Sequence, residues 1–107
     1  MLDIDLILHS ADITSNYIGY WLLDSAEEMV MADPSFADNL VEGVYRTVGE
    51  KYEISFVSVE RNMHTAIKRA WEVAPQRVNK ALGRSRVWRP TASEFILLVA
   101  EKLKTDR

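Results

Sequence analysis

Apolar residues recur along this chain at intervals of three and four, which is the period of an amphipathic α-helix. No stretch sustains the alternation of apolar and polar residues that indicates a β-strand. The spacing therefore predicts an all-α fold with six helices. A chain of 107 residues has the size of one domain and can bury a core without disulfides or metal ions.

Capping and turn residues set the limits of the six helices. The predicted spans are about 3–12, 16–32, 36–51, 56–74, 75–82 and 92–104. Helix starts are marked by Ser35 with Asp38, by Ser55, by Pro75 and by Thr91 with Glu94. Helix ends are marked by Gly83 and by Pro34, which disfavours helical backbone at the residue before it.

Helical periodicity also predicts which side chains are buried. The buried stripe of the second helix is predicted to comprise Ile18, Trp21, Leu22, Ser25, Met29 and Ala32. The core face of the third is predicted to comprise Leu40, Val41, Val44, Tyr45 and Val48. Trp71 of the fourth helix is also expected in the core. Trp88 stands among arginines and could either stack on a partner or cover the core.

The composition excludes several classes of protein. Without cysteine the chain has no disulfide and no thiolate metal site. The longest apolar run, Phe95 to Ala100, is too short to cross a bilayer, and the N-terminus lacks the basic segment of a signal peptide. No nucleophile-elbow motif or glycine-rich phosphate loop is present. We therefore expect a cytoplasmic protein that is not an enzyme, with no catalytic residues, cofactor, metal or membrane partner.

Acidic and basic residues are distributed unevenly along the chain. The net charge is −3, but residues 1–50 hold ten acidic residues against a single basic one, whereas residues 51–107 hold twelve basic residues against six acidic ones. Such asymmetry is typical of a protein with one face built for a polyanion such as nucleic acid. The alternative is that the two halves neutralise each other through ion pairs.

The stretch from Val44 to Trp71 predicts a helix-turn-helix. The helices at about 36–51 and 56–74 meet there through a turn of about three or four residues, with apolar residues on both sides. Gly49 lies in the first of these helices, where the lack of a side chain would let the second helix cross closely.

The helix at about 56–74 separates an apolar side from a polar side. The apolar side holds Val59, Met63, Ala66, Ala70 and Ala74, with Phe56 and Ile67 on its flank. The polar side holds Ser58, Arg61, His64, Thr65, Lys68 and Glu72, and Glu60 lies at the edge near the N-terminus. Arginine donates paired hydrogen bonds to guanine and glutamate accepts from cytosine, so Arg61 and Glu60 are predicted to contact bases. Phosphate contacts are predicted for Ser58, Thr65 and Lys68, and for Arg84, Arg86 and Arg89. A plain solvated surface is the alternative.

Three segments of the chain resemble one protein family. They are Ser58-Val59-Glu60-Arg61 with Ala66-Ile67 and Ala70-Trp71, Ile18-Gly19-Tyr20-Trp21-Leu22 with Ser25-Ala26-Glu27, and Arg89-Pro90-Thr91-Ala92-Ser93-Glu94-Phe95-Ile96. Together they are similar to the C-terminal effector domain of the master sporulation response regulator of endospore-forming bacteria. The resemblance covers nearly the whole chain, with a somewhat shorter loop before Arg89.

The resemblance implies that the fourth helix enters the major groove of TGTCGAA-type elements, bound in tandem by two copies. The family's base-contacting glutamate and arginine carry over to Glu60 and Arg61. A second base-contacting arginine is replaced by His64, the histidine after it by Thr65, and a serine and an arginine at the helix start by Val57 and Ser58. His64 lacks the guanidinium fork, so we expect Glu60 and Arg61 to keep part of the base preference and readout at His64 to differ.

The resemblance also bears on domains and partners. The family's regulators carry an N-terminal receiver that residues 1–107 lack, so we expect a single effector domain, either naturally solitary or part of a longer protein. Expected partners are duplex DNA, a second copy in a homodimer or tandem dimer, and RNA polymerase or a related regulator at the acidic residues Asp24, Glu27 and Glu28. Two alternatives stay open: a helical protein-interaction module acting as a decoy that heterodimerises with a full-length regulator, and nonspecific DNA binding.

Overall fold

A computed structural model describes residues 2–106 and confirms the all-α prediction, since that range holds six α-helices and no strand. The helices are α1 (Ile4–Ser10), α2 (Ile18–Ala32), α3 (Arg46–Tyr52), α4 (Phe56–Val73), α5 (Pro75–Leu82) and α6 (Ala92–Thr105). They enclose one hydrophobic core, to which every helix contributes. Within the described range no helix is both long and apolar enough to cross a membrane.

The capping residues predicted for the later helices are confirmed. The Ser55 hydroxyl accepts from the backbone N–H of Ser58 at 3.1 Å and so begins α4. Thr91 and Glu94 form a reciprocal capping box at the start of α6, with bonds of 3.0 and 3.1 Å. Gly83 ends α5 in the left-handed conformation, with φ of 68°, which only glycine adopts without strain.

The prediction of one continuous third helix over about 36–51 is wrong. Pro34–Asp38 forms a 3₁₀ turn, Leu40–Tyr45 forms a π-helical segment, and α-helix begins only at Arg46. Asn39 breaks the helix with φ of −146° and ψ of 55°, and its carbonyl accepts from Gly43 at 3.0 Å and from Val44, five residues later, at 3.3 Å. Asp33 rather than Ser35 caps the first turn, because its carboxylate accepts from the Ser35 N–H at 3.1 Å.

The wide turns of the π segment change which of its side chains are buried. Leu40, Val44 and Tyr45 lie in the core as predicted, but Val41 is 40% exposed. A π-helix has more residues per turn than an α-helix, so faces assigned with an α-helical period drift away from the true ones.

The predicted stripe of α2 is only partly correct. Leu22 and Ser25 are buried and Met29 is half-buried, whereas Ala32 is exposed and Ile18 and Trp21 are each 46% exposed. Because α1, α4 and α6 all pack on α2, its buried face is wide and comprises Gly19, Tyr20, Leu22, Leu23, Ser25, Ala26, Glu27 and Val30. Trp71 is half-buried and packs against the core as expected.

Candidate nucleic-acid interface

The α3–turn–α4 unit forms the predicted helix-turn-helix. Glu53 ends α3 in the left-handed conformation, and the Ile54 N–H donates to the Gly49 carbonyl at 2.9 Å. A methyl group at Gly49 would lie 2.6 Å from the Ile54 carbonyl oxygen. The close approach that Gly49 permits is therefore chiefly that of the turn, rather than of the body of α4.

One side of α4 is sealed against the core. Every residue predicted for its apolar side is buried: Val59, Met63, Ala66, Ala70 and Ala74. Ile67, predicted for the flank, is fully buried as well. The burial of this side fixes how α4 is rotated about its axis, and hence which side chains face outwards.

The outward side of α4 holds the predicted DNA contacts. Glu60, Arg61, Thr65 and Lys68 are exposed, while Ser58 and His64 are half-buried. The Arg61 guanidinium donates to the Ser58 hydroxyl at 3.3 Å. The Thr65 hydroxyl donates to the Arg61 carbonyl at 2.9 Å. These bonds link neighbouring turns of one helix, so they leave Arg61 and Thr65 exposed.

A groove of about 350 Å³ runs between α4 and the first turn of α6. Its α4 wall consists of Val57, Glu60, Arg61 and His64, and its α6 wall of Thr91, Ala92 and Ser93. All three predicted base-contacting residues therefore meet in one groove. Sequence reasoning missed the α6 wall of this site, because the contact between α4 and α6 is distant in sequence.

Arg89 joins this groove from the loop before α6. Its Nη2 lies 3.5 Å from Nε2 of His64, and both side chains are half-buried. When the His64 proton is on Nδ1, Nε2 accepts this hydrogen bond and Nδ1–H is free to donate elsewhere. Arg89 thus brings a guanidinium to the place on α4 where His64 stands.

The other two loop arginines contact α6 instead. Arg84 pairs with Glu101 at 3.0 Å and Arg86 pairs with Glu94 at 3.1 Å. The three loop arginines predicted to contact phosphate therefore lie in two places. Arg89 is beside α4, whereas Arg84 and Arg86 form ion pairs with acidic residues of α6. Phosphate contact by Arg84 and Arg86 stays a prediction that requires them to share or leave these partners.

Within residues 2–106, the acidic and basic halves of the chain are joined by little ion pairing. Among the ion pairs of residues 2–106, Arg77 with Asp12, at 3.8 Å, is the single pair that joins the two halves. The others lie within one half or the other. On α4 itself, Lys68 pairs with Glu72 at 3.9 Å. Arg61 and Arg69 form no ion pair within residues 2–106, so their charges remain available for a polyanion.

The prediction that Asp24, Glu27 and Glu28 form an acidic surface of α2 is wrong for Glu27. Asp24 is half-buried and Glu28 is exposed, but Glu27 is fully buried and neither of its carboxyl oxygens has a hydrogen-bond partner. Burial, and then the nearby Asp24 carboxylate, raise the pKa of Glu27 well above its ordinary value. Glu27 therefore cannot contact an outside protein, and only Asp24 and Glu28 remain for that role.

Comparison with known families agrees with this geometry. The family described as sporulation initiation factor Spo0A C terminal matches residues 4–103. The chain belongs to that family. The match takes in all six helices nearly to the end of α6. The chain is accordingly a DNA-binding domain of the kind that regulates transcription in sporulation, and the family is not one of enzymes.

Proposed function

We propose that this domain binds specific sequences in duplex DNA, with α4 in the major groove of TGTCGAA-like elements. The observation that carries the proposal is the shared groove, where Glu60, Arg61 and His64 stand together beside the first turn of α6 and outside the hydrophobic core. A single face of one rigid helix is what the major groove admits.

Each groove residue has a distinct role in this proposal. Arg61 donates two hydrogen bonds to the edge of a guanine, and Glu60 accepts from the amino group of a cytosine. His64 contacts the next base through its ring N–H, with less reach and charge than an arginine. Glu60 and Arg61 therefore keep a guanine–cytosine core in the element, while the position at His64 is read differently.

Phosphate contacts hold the helix in register. We assign them to Ser58, Thr65 and Lys68 on α4 and to Arg89 beside it, with Arg84 and Arg86 as further candidates. Two copies bind tandem elements as a homodimer or tandem dimer. Glu28, which is exposed, and Asp24, which is half-buried, are candidates on α2 for contact with RNA polymerase or a related regulator.

The test is fluorescence-anisotropy binding to a duplex with two tandem TGTCGAA-type elements, beside a scrambled duplex, at low and moderate salt. Arg61→Ala is expected to weaken binding to the tandem site about tenfold or more, the discrimination of one bidentate arginine–guanine pair. The matched control is Arg77→Ala, which removes the same charge from α5, outside the groove.

Three outcomes separate the possible functions. The proposal is supported if the parent prefers the tandem site, Arg61→Ala reduces that preference and Arg77→Ala leaves it unchanged. Equal, salt-sensitive binding to both duplexes means that the domain binds DNA without this code. Binding to neither duplex at low salt contradicts the proposal and favours the protein-interaction module.

A further inference from the structure

The loop between α5 and α6, residues 83–90, exposes two large apolar side chains. Val87 and Trp88 are each 80% exposed, more than any other large apolar residue that the structure describes. Trp88 therefore does not cover the core. An exposed tryptophan beside an exposed valine is unfavourable in water and is a common mark of a binding surface.

Hydrogen bonds hold this loop in one conformation. The side-chain amide of Asn79 accepts from the Arg86 N–H and donates to the Arg86 carbonyl, both at 3.0 Å. The Arg86 guanidinium donates to the Trp88 carbonyl at 3.2 Å and to Glu94 at 3.1 Å. Arg86 thus links Asn79, the Trp88 backbone and Glu94. These bonds hold the loop backbone in the conformation that exposes Trp88.

The loop adjoins the groove of α4. Arg89 follows Trp88 directly, and its guanidinium lies 3.5 Å from His64. Pro90, the next residue, is buried and anchors the end of the loop at α6. Val87 and Trp88 therefore precede, in the chain, the residue whose guanidinium contacts the wall of the α4 groove.

We propose that Val87 and Trp88 form a second DNA contact, lying against the sugars of the minor groove that flanks the major groove occupied by α4. This inference rests on the proposed function. Deoxyribose rings are the apolar part of the duplex surface, and apolar side chains are used in this way by minor-groove proteins. Arg89, between the loop tip and α4, lies where the intervening phosphates would pass.

The charge of the loop favours an acidic occupant, and DNA is the acidic partner proposed for the adjoining groove. Residues 83–90 contain three arginines and no acidic residue. Two of these arginines are braced on Glu94 and Glu101, while Arg89 faces the groove. A tryptophan flanked by guanidinium groups suits a polyanion with apolar sugar faces better than it suits a basic protein surface.

The decisive experiment compares Trp88→Ala with Val73→Ala, which alters a similarly exposed apolar residue at the end of α4, 71% exposed. Binding is measured on a duplex that extends about half a turn beyond the element and on one that ends at the element. Trp88→Ala is expected to weaken binding about tenfold on the long duplex, as for one buried aromatic contact, and little on the short one. Val73→Ala should bind both duplexes like the parent.

Further readouts separate failure of this inference from failure of the proposed function. Arg61→Ala should lose affinity on both duplexes, while Trp88→Ala should keep the parent's salt dependence because no charge is removed. Parental affinity of Trp88→Ala on the long duplex, with Arg61→Ala still impaired, overturns the inference alone. If the parent binds every sequence equally, Trp88→Ala must still weaken binding to long duplexes. If the parent binds no DNA, both proposals are wrong.

Tryptophan fluorescence provides an independent check. The parent is expected to show a change in emission on binding the long duplex that Trp88→Phe lacks, since Trp88 would move from water to the duplex surface. Thermal unfolding of Trp88→Ala should match that of the parent, because the side chain makes little contact with the core. If Trp88→Phe shows the same change in emission on binding as the parent, the proposed contact is contradicted.

Discussion

The phenol hydroxyl of Tyr45 lies 3.0 Å from the hydroxyl of Ser93, which joins the residue before α3 to the first turn of α6. Tyr45 is fully buried, and Ser93 lines the groove beside α4. Burial raises the pKa of Tyr45, and the hydrogen bond with Ser93 offsets part of that increase. The bond therefore joins the α6 wall of the groove beside α4 to the helix-turn-helix through a neutral phenol.

Removal of this hydrogen bond should lower the free energy of unfolding by the same amount, whether Tyr45, Ser93 or both are changed. Tyr45→Phe and Ser93→Ala are each expected to lower the free energy of unfolding by about 1 kcal/mol. The double variant should lose about as much as either single variant, because both remove the same interaction. Urea denaturation of all four proteins measures this, and additive losses would show that the two hydroxyls act separately.

The crossing of α2 over α4 depends on Gly19. A methyl group there would lie 2.6 Å from both the Ala66 Cβ and the Asn62 carbonyl oxygen. Gly19→Ala is therefore expected to lower the free energy of unfolding by about 1–3 kcal/mol, as overpacking does. Gly43→Ala is the control, since its nearest atoms are ends of the Asn39 and Phe36 side chains at 3.0 and 3.2 Å, which can move aside. Equal losses in the two variants, measured in urea, would refute this account.

Glu27 is expected to make the domain less stable as the pH rises. In the folded state burial and Asp24 raise its pKa, whereas in the unfolded chain the pKa returns to about 4.5. Between those two pKa values, Glu27 is ionised in the unfolded chain but keeps its proton in the folded state. The contribution of Glu27 to the free energy of unfolding is therefore highest below pH 4.5 and decreases as the pH rises towards the folded-state pKa. Glu27→Leu should raise the free energy of unfolding at neutral pH by at least about 1 kcal/mol, because no partner satisfies the carboxyl.

The measurement is thermal unfolding from about pH 4 to pH 8, which spans the titration of an ordinary and a raised carboxyl group. Glu27→Gln should have a shallower loss of stability with pH than the parent. Glu50→Gln, a change of the same charge at an exposed position of α3, should keep the parental slope. Parallel slopes in the parent and Glu27→Gln would argue against a neutral Glu27 in the core.

The capping box of α6 supports one wall of the groove. Thr91→Ala removes the hydroxyl that accepts from the Glu94 N–H and is expected to cost about 1 kcal/mol in the free energy of unfolding. Thr91→Ser keeps that hydroxyl and should retain most of the stability. Chemical denaturation compares the two, and similar losses would mean that the methyl group of Thr91 matters more than its cap.

Local signals made α4 predictable. Ser55 supplies its cap, and Val59 and Met63 begin a regular apolar stripe, so its start and its outward side follow from neighbours in sequence. The same holds for α5 and α6, whose limits are fixed by Pro75, Gly83 and the Thr91 capping box.

Other features depend on packing between distant segments. The burial of Glu27 results from the helices that surround α2, and a charged residue in the sequence gives no signal of it. The division of the loop arginines likewise depends on where Glu94, Glu101 and His64 lie after folding. The DNA contacts themselves remain predictions, because residue type and exposure alone do not identify a base.

The π-helical segment at Leu40–Tyr45 has a consequence for how relatives of this chain vary in length. A π turn is an α-helix that has absorbed an extra residue, so deletion of one residue here would leave an ordinary helix leading into α3. The core residues on either side could then keep their places. We expect single-residue insertions and deletions within the family to be tolerated in this segment, while the helix-turn-helix beyond it keeps a constant length.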